Sequence, residues 1–216
     1  MFDSERDRVA GAARRLAAEG LVIGTAGNVS ARAGELVAVT PTGAVLASVA
    51  ADDVVVVDLD GAQVAGGLAP TSELGLHLGV YRRYDVGAVV HTHAPMATAL
   101  ACVLDELPVV HYSMLALGGA IRVAPYATFG SAELAQLTLD ALEGRCAALM
   151  ANHGTIAHGV DLDAAIETAL LLEWVCTIYW RAAAIGTPRV LDSEQLEAVI
   201  DAVTTRGYES LRGPGR

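Results

Sequence analysis

Two of the six histidines stand together as His91-Thr92-His93, directly after the apolar run 86–90. An apolar run feeding an H-x-H pair predicts a buried strand, on which residues i and i+2 share a face. Two imidazoles then emerge side by side at the C-terminal end of the strand, where open sheets place their sites. Zinc binds neutral imidazole nitrogen at about 2.0–2.1 Å, and catalytic zinc keeps three protein ligands and one open position. His153, in Asn152-His153-Gly154 after a second apolar stretch, is the candidate third ligand. Gly154 permits a sharp turn beside it. The alternative for the H-x-H pair is two satisfied polar residues at a strand end.

Glu73 lies four residues before His77, on one helix face, so a Glu/His pair is a competing ligand set. A buried, hydrogen-bonded His77 is the expected state. His111, between Val110 and Tyr112, is read as structural, and His158, in Ala157-His158-Gly159, as a turn residue. Thr71 and Ser72 are placed at a helix N-terminus, whose hydroxyls and unpaired N–H groups bind anions. Gly27-Asn28-Val29-Ser30 and Thr40-Pro41-Thr42-Gly43 are two further turns with free donors. Together the three segments can hold a phosphate without a Walker lysine; singly, caps and tight turns explain them. Glu73, next to Ser72, projects toward both phosphate and metal as ligand or general base. Its alternative role is a carboxylate favoured by the helix dipole.

No lysine occurs in the chain, and all 14 basic residues are Arg. Schiff-base chemistry is therefore excluded, and carbonyl chemistry would need another electron sink, for which a metal is the obvious choice.

The elements that position these residues follow from periodicity. A helix is expected over 4–19, ending at Gly20, then strands over 24–32 and 36–40 joined by a turn at Ala33-Gly34. A strand over 54–58 turns at Asp60-Gly61. A helix starts at Pro70-Thr71-Ser72 and runs to about Tyr84, followed by a strand over 87–92 and a helix over 94–103. A strand over 145–150 resumes at 155–157. Asp161 opens a long helix ending at Gly186-Thr187-Pro188, and Ser193 caps a last helix reaching Thr205. Interleaved strands and helices with hairpin-like pairs predict an α/β architecture, a mixed sheet covered by helices.

At 216 residues the chain suits one domain, over 1–216. Hydrophobic residues make up 53% and aromatics 5%, so the core is built from Ala, Val and Leu. A mean hydropathy of +0.44 places some apolar surface between subunits. Glu167, Glu173 and Arg181 interrupt the one span-like stretch, 164–185, which reads as a buried or interface helix. The N-terminus lacks the pattern of a signal peptide. A net charge of −11 disfavours nucleic acid. A cytoplasmic protein with neither a membrane nor a nucleic-acid partner is expected. Cys102, Cys146 and Cys176 form no C-x-x-C pair and are each assigned to the core.

Read in order, Gly24-Thr25-Ala26-Gly27-Asn28-Val29-Ser30, Thr40-Pro41-Thr42-Gly43, Ser72-Glu73, Val90-His91-Thr92-His93-Ala94, His111-Tyr112 and Ala124-Pro125-Tyr126-Ala127-Thr128-Phe129-Gly130 resemble the class II aldolase/adducin family. Within it the spacing is closest to aldolases of L-fuculose 1-phosphate. The resemblance runs from about residue 5 to the C-terminal helix. It implies a three-layer α/β/α sandwich with a mostly antiparallel central sheet, assembled as a C4 homotetramer with sites at subunit interfaces. It also implies zinc, with other divalent ions possible, on His91, His93 and His153, with Glu73 a ligand displaced by substrate. The phosphate contacts fall on Asn28, Thr42, Gly43, Thr71 and Ser72. Tyr112 of a neighbouring subunit would protonate the aldehyde oxygen, and Tyr208 matches a C-terminal family tyrosine. Thr71 stands where the family usually has Ser, so the hydroxyl survives.

The implied reaction is reversible cleavage of L-fuculose 1-phosphate, or a related ketose 1-phosphate, to dihydroxyacetone phosphate and an aldehyde such as L-lactaldehyde. Glu73 would move the C3 proton. The rivals are a pentulose-5-phosphate 4-epimerase, which tends to carry Asp at position 73, and aldolases of deoxypentulose 1-phosphates. More distant are a methylthioribulose-phosphate dehydratase and a non-catalytic adducin-type interaction domain, which lacks the zinc histidines.

Overall fold

The computed structural model describes residues 2–207. The elements are α1 (Asp3–Ala18), β1 (Asn28–Ala33), β2 (Leu36–Val39), β3 (Val55–Asp58), β4 (Gln63–Ala65), α2 (Leu74–Arg83), β5 (Ala88–Thr92) and α3 (Pro95–Ala101). There follow β6 (Glu106–Leu107), β7 (Ile121–Ala124), α4 (Ala132–Ala141), β8 (Ala147–Met150), β9 (Gly154–Gly159), α5 (Leu162–Ile185) and α6 (Ser193–Arg206). The strands form one sheet in the order β4-β3-β2-β1-β5-β9-β8-β7-β6. Every pairing is antiparallel except β7 with β8.

The two-residue period of the strands divides the core into two layers. Ala88 and Val90 of β5, with Ala147 and Leu149 of β8, pack against Leu16 of α1, Ala97 of α3 and Ile166 of α5. Val89 of β5, with Ala148 and Met150 of β8, faces Leu76 and Val80 of α2 and Leu134 of α4. Helices on both faces of a mixed sheet make the expected α/β sandwich. No helix among the described residues is long and apolar enough to cross a membrane.

Several local expectations are corrected. The first strand begins at Asn28, since Gly24 and Gly27 take φ of 58° and 88°, outside the extended region. Residues 69–71 form no helical turn. Thr42 N–H donates to Ala69 O at 3.0 Å and Thr71 N–H to Thr40 O at 3.2 Å, so this segment lies alongside the loop after β2. As a result α2 starts at Leu74, with Glu73 at its N-cap. α6 is capped by Asp192, which accepts from Gln195 N–H, and Ser193 is its first helical residue. His158 belongs to β9 rather than a turn, where its Nε2 donates to Arg145 O at 3.1 Å and its ring stacks on Tyr84. Cys102 is exposed where α3 ends, whereas Cys176 is buried.

Candidate metal and substrate site

His91 stands two residues beyond Val89 on β5 and shares its face, so it faces the α2 layer. Antiparallel register sets Asn28 of β1 opposite His91, and Ser30 opposite Val89. Directly opposed residues share a face, which brings Asn28 and Ser30 under α2 as well. His93 follows two residues beyond His91, just past the strand end. His153 arrives from the tight β8–β9 turn, where Asn152 takes a left-handed φ of 54° and His153 N–H donates to Met150 O at 3.1 Å.

Each imidazole offers a nitrogen within 4.8 Å of the other two, and the ring centroids lie 4.9, 4.9 and 5.0 Å apart. Backbone contact fixes this convergence. A Cβ at Gly154 would lie 2.3 Å from Thr92 O and 3.3 Å from the His93 ring, so only glycine lets the turn approach β5. Gly154→Ala is expected to destabilise the fold by roughly 1–3 kcal/mol. A lower urea midpoint in the variant checks this; an unchanged midpoint would contradict it.

The donor set fits a divalent cation. His91 Nδ1 donates to Thr155 O at 2.8 Å, the carbonyl partner that commonly fixes a metal-binding tautomer. His91 Nε2 then lies 3.0 Å from His93 Nε2 and 3.1 Å from Glu73 Oε2. With Nδ1 committed, Nε2 meets a carboxylate only as part of an imidazolium or through a cation held between them. Glu73 Oε1 is buried without a hydrogen-bond partner among the described residues, 3.5 Å from His153 Nε2. Burial alone would raise the Glu73 carboxyl, but His91, Asn28 and His153 outweigh it and hold the group well below the usual carboxylate range. Burial, then the neighbouring histidines, lowers His93 to about 4 and lowers His153 as well. An anionic carboxylate and neutral imidazoles are the forms that bind metal.

Glu73 closes one wall of a cleft of about 390 Å³. Gly27, Asn28, Thr42, Gly43, Thr71 and Ser72 line it together with His93 and His153. All five expected phosphate contacts thus surround one cavity, and the pairing of 69–71 with 40–42 is what joins them. Asn28 is more engaged than expected, since its Nδ2 donates to Glu73 Oε2 at 2.9 Å. His77 is fully buried and neutral, lowered to about 3 chiefly by burial, with His91 adding to it; it lies outside the imidazole cluster.

Tyr112 opens a short 3-10 helix (Tyr112–Leu117), is 46% exposed, and does not line the cleft. His111 caps that helix by accepting from Ser113 N–H and packs between the Tyr112 and Trp174 rings. Tyr208 falls outside the described residues. Sequence reasoning left out Asn152 and the exposed Tyr126 and Phe129, which also line the cleft. Both aromatics stand in the 124–130 motif, so a signal was present without an assigned role.

Residues 7–180 match the family described as class II aldolase and adducin N-terminal domain. Over 198 residues the chain is 44% identical to a 5-methylthioribulose-1-phosphate/5-deoxyribulose-1-phosphate aldolase of Rhodospirillum rubrum, covering 91% of this chain and 89% of that one. It is 39% identical over 191 residues to the L-fuculose phosphate aldolase of Escherichia coli K12, covering 87% and 88%. Among solved structures, an L-fuculose 1-phosphate aldolase superposes with a TM-score of 0.88 at 36% identity, covering 93% of this chain and 96% of that one. The chain belongs to the class II aldolase and adducin family, and it is an enzyme of the aldolase, lyase type.

Proposed function

We propose that the protein reversibly cleaves a ketose 1-phosphate whose far end is deoxygenated, to dihydroxyacetone phosphate and a short aldehyde. L-fuculose 1-phosphate and the 5-deoxypentulose 1-phosphates are the candidate substrates. One observation carries the reading: an anionic carboxylate with an unpartnered oxygen stands among three imidazoles, on a cleft that Thr42, Gly43, Thr71 and Ser72 also line. His91, His93 and His153 would hold zinc, with Glu73 as a further ligand that substrate displaces. Bound there, the ion supplies Lewis-acid polarisation of the substrate carbonyl and charge stabilisation at the adjoining oxygen.

The chain's own groups do the rest. Thr42, Gly43, Thr71 and Ser72 receive the phosphate, with Asn28 at the border between phosphate and Glu73. In the synthetic direction Glu73 takes the C3 proton of dihydroxyacetone phosphate, and C3 then attacks the aldehyde carbon. Tyr112 of a partner subunit gives its proton to the aldehyde oxygen as the carbon–carbon bond forms. Cleavage runs the same steps backward, and Glu73 returns the proton to C3. Tyr126 and Phe129 give the cleft apolar surface, which suits a methyl or thiomethyl terminus, and the names of the relatives point to such substrates.

A retro-aldol assay on a panel of ketose 1-phosphates tests the assignment. Dihydroxyacetone phosphate should be released from the deoxygenated members and poorly from fully hydroxylated ones; equal rates across the panel would contradict the specificity. Metal content near zero would contradict the proposed metal site. For the phosphate site, Ser72→Ala is expected to raise KM by roughly ten- to a hundred-fold, the range of one hydrogen bond to a charged group. KM for a substrate lacking phosphate should stay unchanged, and a KM shift equal for both substrates would argue against the contact.

A further inference from the structure

The polar groups behind Glu73 form a single buried chain. Asn28 Nδ2 donates to Glu73 Oε2 at 2.9 Å, and Asn28 Oδ1 stands 2.5 Å from His77 Nε2. His77 Nδ1 lies 2.7 Å from Ser30 Oγ, which lies 2.7 Å from the Tyr81 hydroxyl. Exposure is 5% at Asn28, zero at His77 and Ser30, and 3% at Tyr81. Glu73, His77 and Tyr81 recur at four-residue spacing and make one stripe along α2. Asn28 and Ser30 alternate on the facing strand β1.

Every link of this chain has a determined direction. A carboxylate only accepts, so Asn28 turns its amide nitrogen to Glu73 and its carbonyl to His77. A carbonyl also only accepts, so His77 carries its proton on Nε2 and leaves Nδ1 bare. Ser30 must then donate to Nδ1, and its oxygen accepts from Tyr81. All donors point toward Glu73. A ring protonated on Nδ1 instead would turn the Asn28 carbonyl toward the carboxylate and set two acceptors against each other.

We propose that His77, Ser30 and Tyr81 are positioning residues that lock the Asn28 amide, and through it the Glu73 carboxylate, in the orientation that exchanges the substrate proton. The proposal rests on the aldolase reading. None of the three touches substrate; they act through Asn28. Because each link from Asn28 to Tyr81 is buried and made, its geometry is set before substrate arrives, and a break anywhere leaves a buried polar group unsatisfied.

Long-range 1H–15N spectra of the metal-loaded wild-type enzyme test the direction first. The proton of His77 is expected on Nε2; a proton on Nδ1 overturns the proposal without any variant. His77→Leu should then keep its metal content and lose roughly ten- to a hundred-fold in kcat, the worth of a buried hydrogen bond, with a smaller change in KM. His77→Gln, which retains an N–H toward Asn28, should recover most of that loss. Full kcat in His77→Leu, or a Gln variant no better than Leu, overturns the positioning role. Should the Leu variant fail to fold, Tyr81→Phe removes only the terminal hydroxyl and should lower kcat a few-fold (about half to one logarithmic unit); unchanged kcat counts against the proposal. If the wild type cleaves no ketose 1-phosphate, the aldolase reading and the positioning role fall together, while the tautomer still reports the direction of the chain.

Discussion

Glu73→Gln is expected to keep its metal and to lose turnover by on the order of 10²–10³, the scale seen when one charge-handling group is removed from an active site. The substitution is nearly isosteric. Its buried surroundings, the Asn28 amide and the His91 ring, still have an oxygen to meet. What disappears is the anion that, in the proposed reaction, accepts a proton from carbon. Metal retention follows from the three imidazoles, which supply nitrogen ligands enough for a catalytic site without the carboxylate. The decisive pair of measurements is kcat in the cleavage direction and metal content on the same sample. Full activity would remove Glu73 from the proton-transfer role; loss of metal together with activity would make it a structural ligand instead.

His91→Ala should have a larger effect on metal itself. His91 is the deepest of the three clustered imidazoles, at zero exposure, and its ring is oriented by Thr155 O through Nδ1. Loss of an outer-shell partner alone lowers metal affinity roughly 10–100-fold, and loss of the nitrogen ligand should exceed that. The variant should be purified without metal, fail to regain activity with added zinc at concentrations that saturate the wild type, and still fold on its two intact core layers. Metal titration followed by activity checks this. A variant that binds zinc like the wild type would mean that the histidines do not share one ion.

Much of the site was legible in the sequence because its parts obey local rules. H-x-H after an apolar run states its own geometry, since a strand has only two faces. Asn152-His153-Gly154 announces a tight turn, and the contact of Gly154 with β5 explains why glycine is there. The convergence of these segments is a different matter, because nothing local says that β9 lies beside β5. The resemblance to a family implied that the three histidines meet, and the register between His91 and Ile156 shows how the two segments are brought together. The start of α2 was misplaced for a similar reason. Pro70-Thr71-Ser72 has the composition of a cap, but backbone pairing with 40–42 holds 69–71 extended, and that long-range contact assembles the end of the cleft proposed for phosphate.

Residues 104–144 yielded least. β6 and β7 are only two and four residues long, and the short 3-10 helix between them has no sustained period to read. α4 was readable from Ser131, whose side chain caps it by accepting from Leu134 N–H, yet it went unassigned. The buried chain behind Glu73 was also written in plain spacing, as Asn28-x-Ser30 and Glu73-x₃-His77-x₃-Tyr81. Each half is visible alone. Only the β1–β5 register and the seating of α2 over that face show that the halves meet.

The most direct test is a retro-aldol assay on L-fuculose 1-phosphate and a 5-deoxypentulose 1-phosphate, run on one preparation as purified, after chelation, and after zinc is returned. The account predicts about one ion per chain, release of dihydroxyacetone phosphate that vanishes with the metal, and recovery when zinc is restored. Cleavage that persists in fully chelated protein, or epimerisation of a pentulose 5-phosphate with no carbon–carbon bond broken, would contradict it.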